Sequence, residues 1–297
     1  MRYLIKIVRC YKNAFSDMLK HDGFEHGGYI AFLCMLSIFP FFIFFTAAVT
    51  RIGDKLVYDI TGESLLSIFT FTLSNSHFAQ FIGALKPRLI EITSTPPQSF
   101  LSLAIISVIW TASSLLEGLR TILNRAYRVV NPPSYLLRRM MSIIQFILII
   151  CIVMVISFSI KFFPILSNGI IILLKDYQEY EFIRKILEII TSIYASVSSV
   201  VEICIIFLFL SYIYYLIPNK QQRFSHTFIG TLHTMILWWI CTHAFQYYLS
   251  VFHQINIVYG SITGIIIALL YFYMCSIIFI YGGELNYWVC RIFQKNK

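Results

Sequence analysis

Six apolar stretches punctuate the chain, at residues 29–50, 100–118, 140–163, 197–217, 227–249 and 261–283. Each approaches the roughly 20 apolar residues that a helix needs to cross a bilayer core. The run 164–174 is too short to span, so it caps the third stretch or dips into the interface. The polar segments carry patterns of their own. Leu4, Ile7, Val8, Tyr11, Ala14, Phe15, Met18 and Leu19 recur at helical spacing, with Lys6, Arg9, Lys12, Asn13, Ser16 and Lys20 opposite them. That is a basic amphipathic helix, suited either to an anionic leaflet or to packing on the face of a membrane domain. The first long connection, 51–99, holds a short helical pattern at 63–73 and ends in Thr95-Pro96-Pro97. The second, 164–196, becomes helical from Phe182 through Ile183, Ile186, Leu187, Ile190 and Ile193, so the fourth helix starts ahead of its apolar stretch.

The pattern predicts an all-α polytopic membrane protein with about six transmembrane helices. An N-terminal amphipathic segment (1–28), a membrane domain (29–283) and a short tail (284–297) follow from it. Charged residues fill the first 28 positions, so no cleavable signal peptide is expected. Composition agrees: 58% of the 297 residues are hydrophobic and only 12% charged, against about 25% charged in soluble domains. A soluble enzyme, a disordered chain and a secreted disulfide scaffold are excluded on that ground. The seven cysteines form no CxxC pair, and most lie inside apolar stretches, so they read as reduced packing residues.

The net charge of +9 would suggest nucleic acid in a soluble protein. In a membrane protein it reports orientation. Six spans place both termini on one side, with Arg2, Lys6, Arg9, Lys12, Lys20, Arg120, Arg125, Arg128, Arg138, Arg139, Lys220, Arg223, Arg291, Lys295 and Lys297. The other side has Arg51, Lys55, Lys86, Arg88, Lys161, Lys175, Arg184 and Lys185, matched there by acids. The positive-inside rule then puts both termini in the cytoplasm and the chain in the cell inner membrane.

An ionised group inside a span costs about 2.5–3.5 kcal/mol on insertion scales. Glu202, beside Ser198 and Ser199 in the fourth stretch, is therefore a candidate intramembrane polar site. Glu117 and Arg120, three apart, can pair along one helix near a membrane border. Ala104, Ser107, Thr111, Ser114 and Gly118 make a stripe of small residues, as do Gly260, Gly264 and Ala268. Such stripes are packing seams more readily than pore linings. Gly282 and Gly283 permit close contact before Glu284 and Asn286, and Glu284 can meet an arginine of the 120–128 segment as a lock. His21 and His26 flank the first span, and His233 and His243 lie about 80° apart around one helix. None of these suggests a metal site. No GxGxxG, P-loop, GxSxG or HExxH motif occurs. No cofactor is expected.

Residues 31–40 (AFLCMLSIFP), 110–127 (WTASSLLEGLRTILNRAY), Ile217-Pro218-Asn219-Lys220, Tyr259-Gly260-Ser261 and Gly283-Glu284-Leu285-Asn286 occur in an order that resembles the YihY/BrkB family, also labelled ribonuclease BN-like. Gly27-Gly28 departs from it, standing where the family tends to have alanine. The resemblance covers almost the whole chain and implies about six transmembrane helices without a settled activity. The ribonuclease label fails on the residues: no two histidines are separated by one residue, as an HxHxDH-type ligand set requires. The expectation is a non-enzymatic membrane protein handling transport, lipid or envelope material, with membrane lipids and a protein partner or second copy as contacts and no nucleic acid. The alternative is a membrane scaffold or partner subunit.

Overall fold

The computed structural model describes residues 2–52, 98–149, 152, 181–220, 222–251 and 263–294, and no strand occurs among them. The chain is an all-α membrane protein. In order come α1 (Arg2–Lys20), α2 (Gly23–Ile52), α3 (Gln98–Ala126), α4 (residues 135–149), α5 (Glu181–Leu216), a 3-10 turn at Phe224–Thr227, α6 (Phe228–Val251) and α7 (Thr263–Gln294). The short helix expected at 63–73, the run 164–174 and Gly260 lie outside the described residues.

Among the described residues, Ile105–Ala126, Phe224–Leu249 and Gly264–Arg291 are long and apolar enough to cross a membrane. α5 runs unbroken for 36 residues, about 54 Å at 1.5 Å per residue, so it outruns a bilayer core. The exposed surface carries large apolar side chains such as Leu103, Ile106, Trp110, Ile203, Trp239 and Ile265. The interior, largely apolar, also holds Arg120, Glu284, Asn286, Ser142, Thr231 and Thr234. An apolar exterior over a core that includes paired polar groups suits a chain whose solvent is hydrocarbon, because buried polar groups must then find partners within the bundle.

α2 starts at Gly23 rather than at residue 29. Asp22 adopts a left-handed conformation (φ 55°) that ends α1, and its carbonyl accepts the His26 N–H at 2.9 Å to begin the next helix. A side chain on Gly23 would crowd the Met18 carbonyl oxygen at 2.8 Å. α1 lies against α7: Cys10 and Ala14 form one small core with Leu285 and Val289. Met18 joins Ile30, Ile122 and Ile280 in another. So the amphipathic helix packs on the membrane domain. Only one edge of its apolar face is covered, and Ile7, Val8, Phe15 and Leu19 remain exposed.

α7 is the hub, touching α1, α2, α3 and α6. It meets α6 backbone to backbone. A Cβ on Gly230 would collide with the Gly282 carbonyl oxygen and the Asn286 side chain; one on Gly282 would strike Thr234 and Tyr214. The largest core lies where Leu116, Leu123 and Tyr127 of α3 meet Leu210, Tyr214 and Ile217 at the end of α5 and Phe279 of α7.

Candidate functional site

α3 ends in a Schellman motif. The Val129 N–H donates to the Asn124 carbonyl at 2.9 Å and the Arg128 N–H to the Arg125 carbonyl at 3.1 Å. The residue in the left-handed position, where glycine is usual, is Arg128 (φ 59°). A non-glycine residue there costs about 1–2 kcal/mol. The side chain offsets that cost. Arg128 Nη1 donates to the Arg125 and Ala126 carbonyls at 2.9 and 2.6 Å, covering the helix end. Nη2 reaches Asp17 Oδ2 at 2.7 Å and Glu284 Oε2 at 3.2 Å. The guanidinium also lies 4.6 Å from the Tyr287 ring centre.

Glu284 is the centre of this cluster. It is buried, and His21 Nδ1 sits 2.6 Å from its Oε1. With Glu284 ionised, Nδ1 carries the proton it donates. Trp288 Nε1 donates to Asp17 Oδ2 at 3.0 Å. One lock thus joins α1, the end of α3 and α7. Beside it the motif segments meet. Asn124 Nδ2 donates to Asn219 Oδ1 at 3.0 Å, and the Asn219 N–H donates back to Asn124 Oδ1 at 2.7 Å. Lys220 Nζ donates to the Tyr127 carbonyl at 3.0 Å and lies 5.0 Å from the Tyr287 ring. Burial pushes the Lys220 ammonium below its usual range; Cys290 opposes the shift and Arg128 adds to it. Asn286 Oδ1 accepts the Gly230 N–H at 2.7 Å, pinning the α6–α7 crossing.

The second polar centre lies a few turns up α3. Arg120 is fully buried. Its Nη1 donates to the Ile217 carbonyl at 2.8 Å, its Nη2 to Gln145 Oε1, and its Nε lies 3.5 Å from Glu117 Oε2. So Arg120 makes more than a pair at a membrane border: it fastens α3 to α4 and to the end of α5. Ser142 Oγ also donates to Glu117 Oε2 at 3.3 Å. Arg138 Nε stands 3.2 Å from Glu117 Oε1, but the angle misses a hydrogen bond and leaves both atoms without one.

Glu117 and Arg138 face a half-open cleft of about 400 Å³ between α2, α3 and α4, with His26, Ser114, Tyr135 and Arg139 also in its wall. Arg139 is buried. It donates from Nη2 to the Trp110 carbonyl at 3.0 Å and lies 4.6 Å from the centre of that residue's ring. His26 Nε2 faces Arg125 Nη1 at 3.0 Å; an arginine only donates, so this nitrogen accepts. Burial first, then the Arg125 charge, holds His26 below the ordinary imidazole value, against opposing pulls from Asp22 and Glu25.

The structure brings Glu117, Arg120 and Gly118 to the cleft and its backing, and Gly283, Glu284 and Asn286 to the lock. Gly118 packs on α2, where a Cβ would lie 3.0 Å from Leu33 and Tyr29. Among the described residues a Cβ on Gly264 meets nothing within 4 Å, and Gly260, its neighbour in the expected seam, lies outside them. Gly264 stands near the start of α7, among exposed Ile265 and Ile266. Glu202, Ser198 and Ser199 fall on α5, but their side chains lie outside the described residues. His21 and His26, which suggested no site, serve the lock and the cleft wall. Their partners are too remote in sequence to signal it. Arg138 and Arg139 counted only as orientation charges; their placement after Pro132-Pro133-Ser134, at the start of α4, was the available signal. Among the described residues no group of three or more His, Cys, Asp or Glu is arranged to hold a metal ion.

Two relatives align along most of this chain. The putative ribonuclease-like protein YfkH of Bacillus subtilis is 26% identical over 278 residues, covering 93% of each chain. A UPF0761 membrane protein of Vibrio atlanticus is 23% identical over 90% of this chain and 78% of its own. No solved structure matches significantly. The family model described as virulence factor BrkB matches residues 14–296, and the chain belongs to that family.

Proposed function

We propose that this chain is a six-span protein of the cytoplasmic membrane, with both termini cytoplasmic, that handles membrane lipid or a lipid-linked polar substrate. The observation that carries the reading is the half-open cleft between α2, α3 and α4, lined by Glu117, Arg138, Arg139 and His26. It reaches the polar half of a membrane-length helix, 105–126. Buried charge in such a helix is expensive, and a packing role alone does not call for a roomy charged opening. The basic bias of the segments that would face the cytoplasm supports the orientation. The scattered histidines speak against ribonuclease chemistry, and nothing in the described residues favours an enzyme. The test is reconstitution in liposomes carrying tail-labelled lipid, followed by dithionite bleaching of the outer leaflet. Protein-dependent lipid redistribution, lowered in Glu117→Gln, is the expected result. Redistribution no faster than in empty liposomes overturns the reading.

A further inference from the structure

We infer that the cleft is a binding site for the phosphate of an anionic glycerophospholipid, held by Arg138, Arg139 and the first turn of α4; this deepens the lipid-handling reading and rests on it. Charge comes first. Among the described residues Glu117 is the one carboxylate in the cleft wall, and it is shared by Arg120 and Ser142 from behind and by Arg138 Nε at 3.2 Å. Arg125, beside His26, is committed to Asp22 at 3.0 Å. Arg120 and Arg138 thus share one carboxylate and Arg139 has none among the described residues, so the opening keeps a cationic excess centred on Arg139.

Unused donors come second. The Nε atoms of Arg138 and Arg139 are buried without a hydrogen-bond partner. Arg139 is only 9% exposed, and among the described residues it makes no ion pair. A desolvated guanidinium with a free donor and no carboxylate is costly unless an anion joins it. Phosphate oxygens suit this fork, as acceptors for two-point arginine contacts. The third contribution is backbone. The Arg138 N–H donates to the Ser134 carbonyl at 3.0 Å, so the amides at 135–137 open the helix, where an α-helix favours an anion. The Tyr135 hydroxyl adds a donor from the same turn.

The surroundings choose a lipid over a free ion. Trp110, stacked under Arg139, is 68% exposed, and Leu136, Leu137 and Met140 are exposed on the first turns of α4. An occupant with acyl chains covers these side chains while its phosphate enters the cleft. A volume of about 400 Å³ admits a headgroup with some water. Basic pockets between membrane helices bind anionic headgroups by the same physics.

The experiment is native mass spectrometry of the full chain, titrated with phosphatidylglycerol or phosphatidylcholine. Wild type is compared with Arg138→Gln, Tyr135→Phe and the control Lys12→Gln, which alters an exposed lysine on α1. Wild type and control should retain phosphatidylglycerol at least about tenfold better than phosphatidylcholine, and Arg138→Gln should lose most of that preference. Thermal unfolding of each variant is measured in parallel. If Arg138→Gln is destabilised, the exposed Tyr135→Phe decides, with an expected loss of a few-fold. Equal retention of both lipids by wild type, or full retention by folded Arg138→Gln, overturns the site. Displacement of phosphatidylglycerol by millimolar inorganic phosphate overturns the lipid assignment in favour of a soluble anion. Anionic preference without lipid movement in liposomes keeps the site and removes the transport reading; movement without preference does the reverse.

Discussion

Replacing Arg120 with methionine removes a guanidinium that no water reaches. The Ile217 carbonyl loses its 2.8 Å donor, Gln145 Oε1 loses its partner, and Glu117 loses the cation 3.5 Å away. The carboxylate keeps Arg138 at 3.2 Å, but without a hydrogen bond. Breaking a buried pair from one side costs about 3–5 kcal/mol, or two to four decades in the folding equilibrium at about 1.4 kcal/mol per decade. Methionine fills the stem of the arginine, so the loss is electrostatic more than a cavity effect. Arg120→Lys keeps the charge without the fork and should fall between the two. The assay is unfolding of the detergent-solubilised protein with rising dodecyl sulfate, read by tryptophan fluorescence. The double variant Glu117→Gln/Arg120→Met removes the stranded charge and should recover about 1–3 kcal/mol relative to additivity. A single variant within about 0.5 kcal/mol of wild type would falsify the reasoning. So would a double variant that sums its parts.

The other predictions concern separate elements. Gly282→Ala should destabilise the bundle severely, because its Cβ meets Thr234 and Tyr214, while Gly264→Ala should leave thermal stability unchanged or slightly raised; equal effects in the same melting assay refute the crossing. His26 is held below its ordinary pKa, so the unfolded chain takes up the proton first. The stability it contributes is complete above about pH 6.5 and falls as pH drops through that value. Histidine NMR in nanodiscs checks the direction, and a His26 that is protonated at pH 7 contradicts it. Glu202→Leu should leave expression intact and abolish lipid redistribution if the intramembrane carboxylate serves transport; normal redistribution removes Glu202 from the mechanism.

The membrane-length helices at 105–126, 224–249 and 264–291 were legible because lipid imposes a strong rule: about 20 apolar residues in a row have few alternatives. The unbroken entry of α5 was legible for a similar reason, since Ile183, Ile186, Leu187 and Ile190 hold one helical face. What the pattern could not convey was neighbourhood. Moment and spacing placed Ala14 and Phe15 on the same apolar side of α1, yet Ala14 is buried against α7 and Phe15 is exposed. Which edge of the stripe is covered depends on a helix more than 250 residues away. The same distance hid the partnership of His21 with Glu284. Arg120 beside Glu117 suggested a local pair, because i and i+3 are visible in sequence; its attachment to Ile217 needed the path of α5. The Schellman turn was hidden for a different reason. Its usual marker is glycine, and Arg128 stands in that place because its side chain has work on both sides of the turn.

The docking of α1 on the last helix has a consequence for biogenesis. Cys10 Sγ and the Trp288 carbonyl are in contact across 278 positions of sequence. The ribosome therefore makes the first helix long before its seat exists. Synthesis at about 5–20 residues per second leaves that helix waiting on the order of 15–60 seconds. During the wait its apolar residues need shelter, and the membrane surface supplies it through the same basic amphipathic character. Completion of the C-terminal helix then ends the wait, making docking of the N-terminus the closing step of assembly. A chain truncated before residue 284 should leave its N-terminal helix open to protease while the earlier helices remain inserted.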